Sequence, residues 1–429
     1  MPNIHEILIE SNPWWKGPVQ LEYKERDLHQ NLRKYLPLPQ IIALTGLRRV
    51  GKTTLLLKIL QESIAQGMDP HNLLYFSFDE FETINIRDLI AEYERTMKKD
   101  LTSGNYLFFF DEVQKLDHWE TQIKRLYDTY KTTVKLFISG SESLFIHKKS
   151  KETLAGRLFE FILTPLSFSE FLVFKNIRCD NIDLHTKELE ILFAHYVRTQ
   201  GFPELINTTD KEIIKKYIKE SILEKIIYRD IPSLVRVRNP AILASLLTIF
   251  TEEPGQLVEL ANLADELHIS RQTLAQYLRY LEEAFLVRKL YNYSKNRRKI
   301  ERKLKKYYPT VLSVDLLFKD DPFSQSKVLE WVAVNQLQAE YFWRDSYKNE
   351  VDIIDVKNKK TVPYEVKQGK IETKGLLKFM NLYHLDEGCI ITPVKEERYQ
   401  YEKKIIRAIP LYKLLLQRGK EEKSIGDED

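Results

Sequence analysis

The sequence predicts an α/β protein: a parallel sheet covered by helices on both faces, followed by further helical and mixed modules. Three observations carry that prediction. Residues 41–44 (Ile41, Ile42, Ala43, Leu44) form an apolar strand-like run that ends in Gly46-Leu47-Arg48-Arg49-Val50-Gly51-Lys52-Thr53, which fills every position of G-x-x-x-x-G-K-[ST]. From Thr54 the pattern turns helical. Buried runs then alternate with helical stretches as far as residue 163, as a parallel sheet requires.

A strand delivers the loop and a helix N-terminus receives an anion, so this context points to phosphate binding. The glycines let backbone N–H groups approach, Lys52 reaches the β/γ-phosphates, and the Thr53 hydroxyl sits on Mg²⁺; Gly46 to Thr54 form the expected nucleotide cradle. Strands are expected at 73–78, 106–110, 134–139 and 159–163, with helices at 86–99 and 118–130 and a stop at Gln66-Gly67. The strand Leu107-Phe108-Phe109-Phe110 ends in Asp111-Glu112, the Walker B arrangement, with Asp111 in the Mg²⁺ shell and Glu112 as base toward the lytic water. At the next strand end, Ser139 is either a γ-phosphate or water contact or simply a loop former. Arg157 is read as a γ-phosphate arginine, in its own subunit or in a neighbour's.

Composition bounds the rest. The chain has 429 residues, 43% hydrophobic and 30% charged, which suits two to four domains. A net charge of +4 says little about partners, so local clusters must carry that argument. Cys179 and Cys389 are the only cysteines, and they imply neither a disulfide framework nor a cysteine metal site. No signal peptide and no membrane-length apolar run is read, so a cytoplasmic location without membrane contact is expected.

Residues 1–38 read as an N-terminal arm with Trp14-Trp15, which either dock the arm or cover a base, and a charged helix from Glu22 to Tyr35. Residues 39–170 form the ATPase core. The segments GLRRVGKTTLL, LFFFDEVQ, LFISGSES, LAGRLFEFILTPLSFSEF and GFPEL together resemble a family of prokaryotic P-loop ATPases of the AAA+ superfamily. That resemblance implies a P-loop NTPase core using ATP and Mg²⁺, then a helical lid, a winged helix and a restriction-endonuclease-like end; the oligomeric state is left open.

The lid is expected at 171–236, broken by Gly201-Phe202-Pro203. The winged helix-turn-helix is expected at 237–310, with helices at 241–250, 257–267 and 270–287. Ser270 is its N-cap, and Gln272, Gln276 and Arg279 face outward toward either a DNA groove or a protein. The run from Tyr293 to Lys306, YSKNRRKIERKLKK, is either a solvated face or a phosphate-contacting wing.

Residues 311–429 carry a helix at 327–339 and strands at 340–344, 350–356, 361–368, 388–392 and 405–409. Glu365 and Lys367 share one face of a strand, Asp352 begins the partner strand, and Glu330 lies on the helix. This set resembles the PD-(D/E)xK nucleases, which implies metal binding by Glu330, Asp352 and Glu365, with Lys367 beside the attacking water. Two functions follow: an ATPase coupled to a metal-dependent nuclease on DNA, or an ATP-driven, non-nucleolytic switch that binds a protein partner.

Overall fold

The computed structural model describes residues 4–426 apart from 80, 82–83, 141–151, 180, 236, 238, 297, 299, 301–303 and 358–359. The Ser141-Glu142-Ser143 stretch of the first resemblance, and Arg297 and Lys299 of the basic run, lie outside the described residues. The chain divides into two compact units, Met1–Pro165 and Leu166–Asp429.

The first unit is built on five parallel strands: β1 (Ile41–Thr45), β2 (Leu73–Ser77), β3 (Tyr106–Asp111), β4 (Val134–Ser139) and β5 (Leu158–Ile162). Their order is β2-β3-β4-β1-β5. Each central strand is a nearly continuous apolar run because helices cover both faces. The sheet reverses direction of growth at β1: the chain fills one side up to β2, then returns to lay β5 on the other. A crevice at the carboxyl ends of β1, β3 and β4 is the ligand position that such a reversal creates.

The arm departs from expectation. Its helix spans only Asp27–Arg33, and the residues from Glu22 to Arg26 lack helical structure. The cause is Arg26, which is 4% exposed and donates to the Val50 carbonyl at 2.7 Å and the Thr164 carbonyl at 2.7 Å. Those two bonds outweigh the helical preference of the charged run. The tryptophans dock the arm: both indoles donate to the Leu73 carbonyl, Trp14 at 3.3 Å and Trp15 at 2.9 Å. Asn12 completes the seal, accepting from the Tyr75 N–H at 2.7 Å and donating to the Tyr75 carbonyl at 3.0 Å, so the edge of β2 has a polar cover.

The second unit opens with a capping box in the LSFSEF segment. The Ser167 side chain accepts from Glu170 N–H, Glu170 accepts from Ser167 N–H, and Phe168 and Phe171 enter the core. Helices Phe168–Phe174, Thr186–Thr199 and Lys211–Lys216 follow, then wider π-type turns over Tyr217–Leu223 and Ile226–Asp230. Beyond Pro240, one nine-stranded sheet runs through the rest of the unit, ordered β13-β14-β12-β11-β10-β9-β7-β8-β6. Its strands are β6 (Gln256–Val258), β7 (Val287–Asn292), β8 (Lys305–Pro309), β9 (Tyr341–Arg344), β10 (Glu350–Lys357), β11 (Lys360–Val366), β12 (Glu387–Thr392), β13 (Glu397–Tyr401) and β14 (Lys404–Pro410).

One expectation changes here. The helix expected from Leu257 begins only at Leu260, because residues 256–258 pair with β8. The sheet itself continues past residue 310, since β7 pairs in parallel with β9. Helix Arg271–Glu283 packs against helix Leu260–Glu266 and against β7. Ser270 accepts from Thr273 N–H, as a cap should, and Leu274, Leu278 and Leu281 are buried while Gln272, Gln276 and Arg279 are exposed.

Candidate functional site

Gly46 turns the chain off β1 at a φ of 139°. A Cβ there would lie 2.1 Å from the Leu163 carbonyl oxygen, so the loop passes β5 too closely for any side chain. Gly51, at φ 99°, takes the left-handed conformation that opens the helix Lys52–Ala65. Lys52 is 5% exposed and folds over the loop, donating to the carbonyls of Gly46 at 3.0 Å and Leu47 at 2.8 Å. Its ammonium is thus held within the curve where backbone N–H groups gather. Arg48, Arg49, Val50 and Thr54 complete the turn and the first helical residues, with Val50 buried and Arg49 exposed.

Asp111 is the centre of the crevice. Its Oδ2 accepts from the Thr53 hydroxyl at 2.5 Å and from the Tyr75 hydroxyl at 3.0 Å. Its Oδ1 accepts from the Ser139 hydroxyl, and that same Ser139 oxygen receives the Glu112 N–H at 3.4 Å. Ser139, wholly buried, therefore fixes the carboxylate of Asp111 and the backbone of Glu112 together. The oxygens of Thr53 and Asp111 form a hard, compact donor set that fits Mg²⁺ alongside phosphate oxygens. Burial, then the nearby charge of Asp111, pushes the Tyr75 phenol far above its ordinary range, so it stays a donor.

Glu112 adopts a left-handed φ of 53°, uncommon for a residue with a side chain. Its carboxylate accepts from Gln114 Nε2 at 2.6 Å. Sequence reasoning missed Tyr75 and Arg26. The signal for Tyr75 was a lone hydroxyl in the otherwise apolar Leu-Leu-Tyr-Phe strand; Arg26 gave none, since it sits in a run of mixed charge.

Arg157 is not at this crevice. Its carbonyl accepts from Ile41 N–H, which puts it at the amino edge of β1 and β5. Five residues of strand, about 16 Å, separate that edge from the loop. Its guanidinium pairs with Asp128 instead, at 2.9 Å. The reading of Arg157 as a γ-phosphate contact in its own subunit is therefore corrected.

In the second unit the structure gathers Glu330, Asp352, Glu365 and Lys367, but with company. Lys306, expected in the exposed basic run, is 5% exposed and lies among the acids: 2.5 Å from Glu350 Oε1, 3.3 Å from Glu330 Oε1 and 3.9 Å from Asp352 Oδ1. Glu330 Oε1 also accepts from the Tyr308 hydroxyl at 2.5 Å, and Glu350 Oε2 from Arg344 at 3.0 Å. Asp352 Oδ2 accepts from Val366 N–H at 2.8 Å, while Lys367 lies 2.8 Å from Glu365 Oε1. Burial, then the charges of Glu330 and Glu365, raises the Asp352 carboxyl well above its ordinary range. Burial also raises Glu365, against the pull of Lys367.

A divalent cation needs several oxygens at about 2.0–2.6 Å. Here most of the carboxylate oxygens are already taken by N–H, O–H or ammonium groups, and Glu365 Oε2 is buried without a hydrogen-bond partner. No three His, Cys, Asp or Glu residues are grouped as a metal site among the described residues. Glu330, Asp352 and Glu365 as arranged do not fit the expected metal. Period-two spacing on β8 (Lys306, Tyr308) and β10 (Glu350, Asp352) was the overlooked signal.

Residues 38–172 match the family model of the AAA domain, and residues 191–310 and 327–414 each match a domain of unknown function (DUF8612 and DUF4143). Residues 38–172 are thus similar to AAA domains. An uncharacterized protein of Methanocaldococcus jannaschii is 30% identical over 285 residues, 64% of this chain and 62% of that one. An uncharacterized protein of Haemophilus influenzae is 28% identical over 271 residues, 62% of this chain and 65% of that one. The chain thus spans under two thirds of the length of these relatives. The solved C. elegans PCH-2 structure, 14% identical, covers 60% of this chain and 64% of that chain at a TM-score of 0.24, too slight to bear on the fold. No helix among the described residues is long and apolar enough to cross a membrane.

Proposed function

We propose that this chain is a Mg²⁺-dependent ATP hydrolase whose nucleotide state drives its C-terminal half as a non-nucleolytic switch. The observation that carries the ATPase reading is the Asp111 carboxylate, shared by Thr53 of the loop helix and Ser139 of β4. Thr53 and Asp111 would hold Mg²⁺, which supplies charge neutralisation for the transferring phosphoryl group. Lys52 binds the β/γ-phosphates, and the loop N–H groups orient them. Glu112 takes the proton of the attacking water, with Gln114 fixing its carboxylate. Ser139 and Tyr75 keep Asp111 from rotating.

Measured turnover tests this. Lys52→Ala is expected to lose nucleotide binding, while Glu112→Gln keeps binding and loses about 10²–10⁴-fold in hydrolysis, the usual share of a general base. A Glu112→Gln protein that turns over at the wild-type rate would remove that residue from the role.

The switch reading of the C-terminal half, over a nuclease, rests on Lys306 among the acids. Arg157 acting on a neighbouring subunit's nucleotide remains part of the proposal. For DNA contact, the support is the basic sequence of residues 293–304, which joins antiparallel β7 and β8. Binding through it is expected to tolerate sequence and fall steeply with salt. Changing Arg297, Arg298 and Lys299 to Ala would then reduce the salt slope by about one unit per lost phosphate contact. An unchanged slope would favour a protein partner.

A further inference from the structure

Lys306 lies on β8, yet its partners Glu350 and Asp352 lie on β10, with β7 and β9 in between. At about 4.8 Å per strand the gap is roughly 14 Å. The lysine reaching from one side and the carboxylate side chains from the other meet along one face of the sheet, with the ammonium 5.5 Å from the centre of the Phe342 ring on β9. Helix Pro322–Gln336 closes the same face and brings Glu330 down from above. This is a built position, made of strand, aromatic ring, tyrosine hydroxyl and helix, and none of it is a surface accident.

Opposite charges meet around it. Four carboxyl groups (Glu330, Glu350, Asp352, Glu365) meet three cations (Lys306, Arg344, Lys367). A divalent ion added to that set would have to share these carboxylates with three cations already paired to them in a poorly solvated site, which is costly.

We propose that Lys306 is the resident cation of this cluster: its ammonium does for Glu330, Glu350 and Asp352 what a divalent metal does in a nuclease centre, so these three acids need no metal. Burial works against the ammonium, but Tyr308, Glu330, Asp352 and Glu350 together hold its pKa well above that of an ordinary lysine. The C-terminal half then keeps the strand and helix framework of a phosphodiesterase-like site while using it for internal cohesion. The inference deepens the switch reading and does not depend on ATP turnover.

The test uses the full chain without nucleotide and Mn²⁺ alone as probe. Wild type and Asp352→Asn are compared by calorimetric titration, so any Mn²⁺ held at the ATP site cancels in the difference. Equal Mn²⁺ equivalents in the two proteins are expected, and no Mn²⁺-dependent cleavage of single- or double-stranded DNA. Loss of one equivalent, or of a cleavage activity, on Asp352→Asn would overturn the proposal. Lys306→Met is expected to lower the unfolding midpoint by roughly 5–10 °C, since it leaves buried acids without their cation, with Lys306→Arg recovering part of the loss. A Lys306→Met midpoint equal to wild type would overturn it as well. Should Lys306→Met fail to fold, the Asp352→Asn comparison decides alone. ATP turnover read on the same samples separates a failed ATPase reading from a failed cation assignment.

Discussion

Replacing Arg26 with Met removes a side chain that ties the arm to both the phosphate loop and the residues just after β5. The guanidinium is 4% exposed, and its bonds to the Val50 and Thr164 carbonyls are each 2.7 Å. Hydrogen bonds to a charged group contribute about 1.5–3 kcal/mol each. Methionine keeps most of the packing and removes a buried charge, so a net loss near the lower end, about 3 kcal/mol, is expected. For a unit the size of Met1–Pro165 that lowers the unfolding midpoint by roughly 6–12 °C. One of the two bonds holds the loop itself. Losing its share, about 1.4 kcal/mol, weakens ATP binding roughly tenfold. Calorimetric unfolding and nucleotide titration check the two figures separately. Arg26→Lys should fall between, because a single ammonium lacks the fork that reaches two carbonyls at once. A midpoint within about 2 °C of wild type, with unchanged ATP affinity, would refute the argument that Arg26 rather than packing anchors the arm.

Three further outcomes are expected. Gly46→Ala places a Cβ 2.1 Å from the Leu163 carbonyl at a φ of 139°, so it should destabilise the first unit by about 2–5 kcal/mol and abolish ATP binding, measured by unfolding and titration. Tyr75→Phe removes one of the donors that fix Asp111; hydrolysis should fall about threefold to tenfold with ATP affinity nearly unchanged, which steady-state kinetics would show. Burial pushes the Cys389 thiol up to about 12, against the pull of Arg407, so iodoacetamide at pH 8 should label half-buried Cys179 and leave Cys389 intact in the folded protein, read by mass spectrometry.

The loop at 46–53, the acidic pair at 111–112 and the parallel core were determined by the sequence itself. Each depends on local rules: glycines where the chain turns, a strand before and a helix after, and apolar runs wherever both faces of a strand are covered. The helix cap at Ser270 and the outward set Gln272, Gln276 and Arg279 were legible for the same reason, since a helix face is fixed by neighbours three and four residues away. Arg157, Arg26 and Lys306 were not legible, because their roles depend on what lies across the sheet. Arg157 falls at the wrong end of β5, a matter of strand direction and register. Arg26 leaves its helix for two carbonyls, one 24 and the other 138 residues away. Lys306 reads as one more charge in a basic run, and only the pairing of β7 with β9 aligns β8 with β10 and turns that lysine inward among the acids. Local spacing sets which residues share a face; the sheet order decides which faces meet, and a long charged side chain takes its function from that meeting.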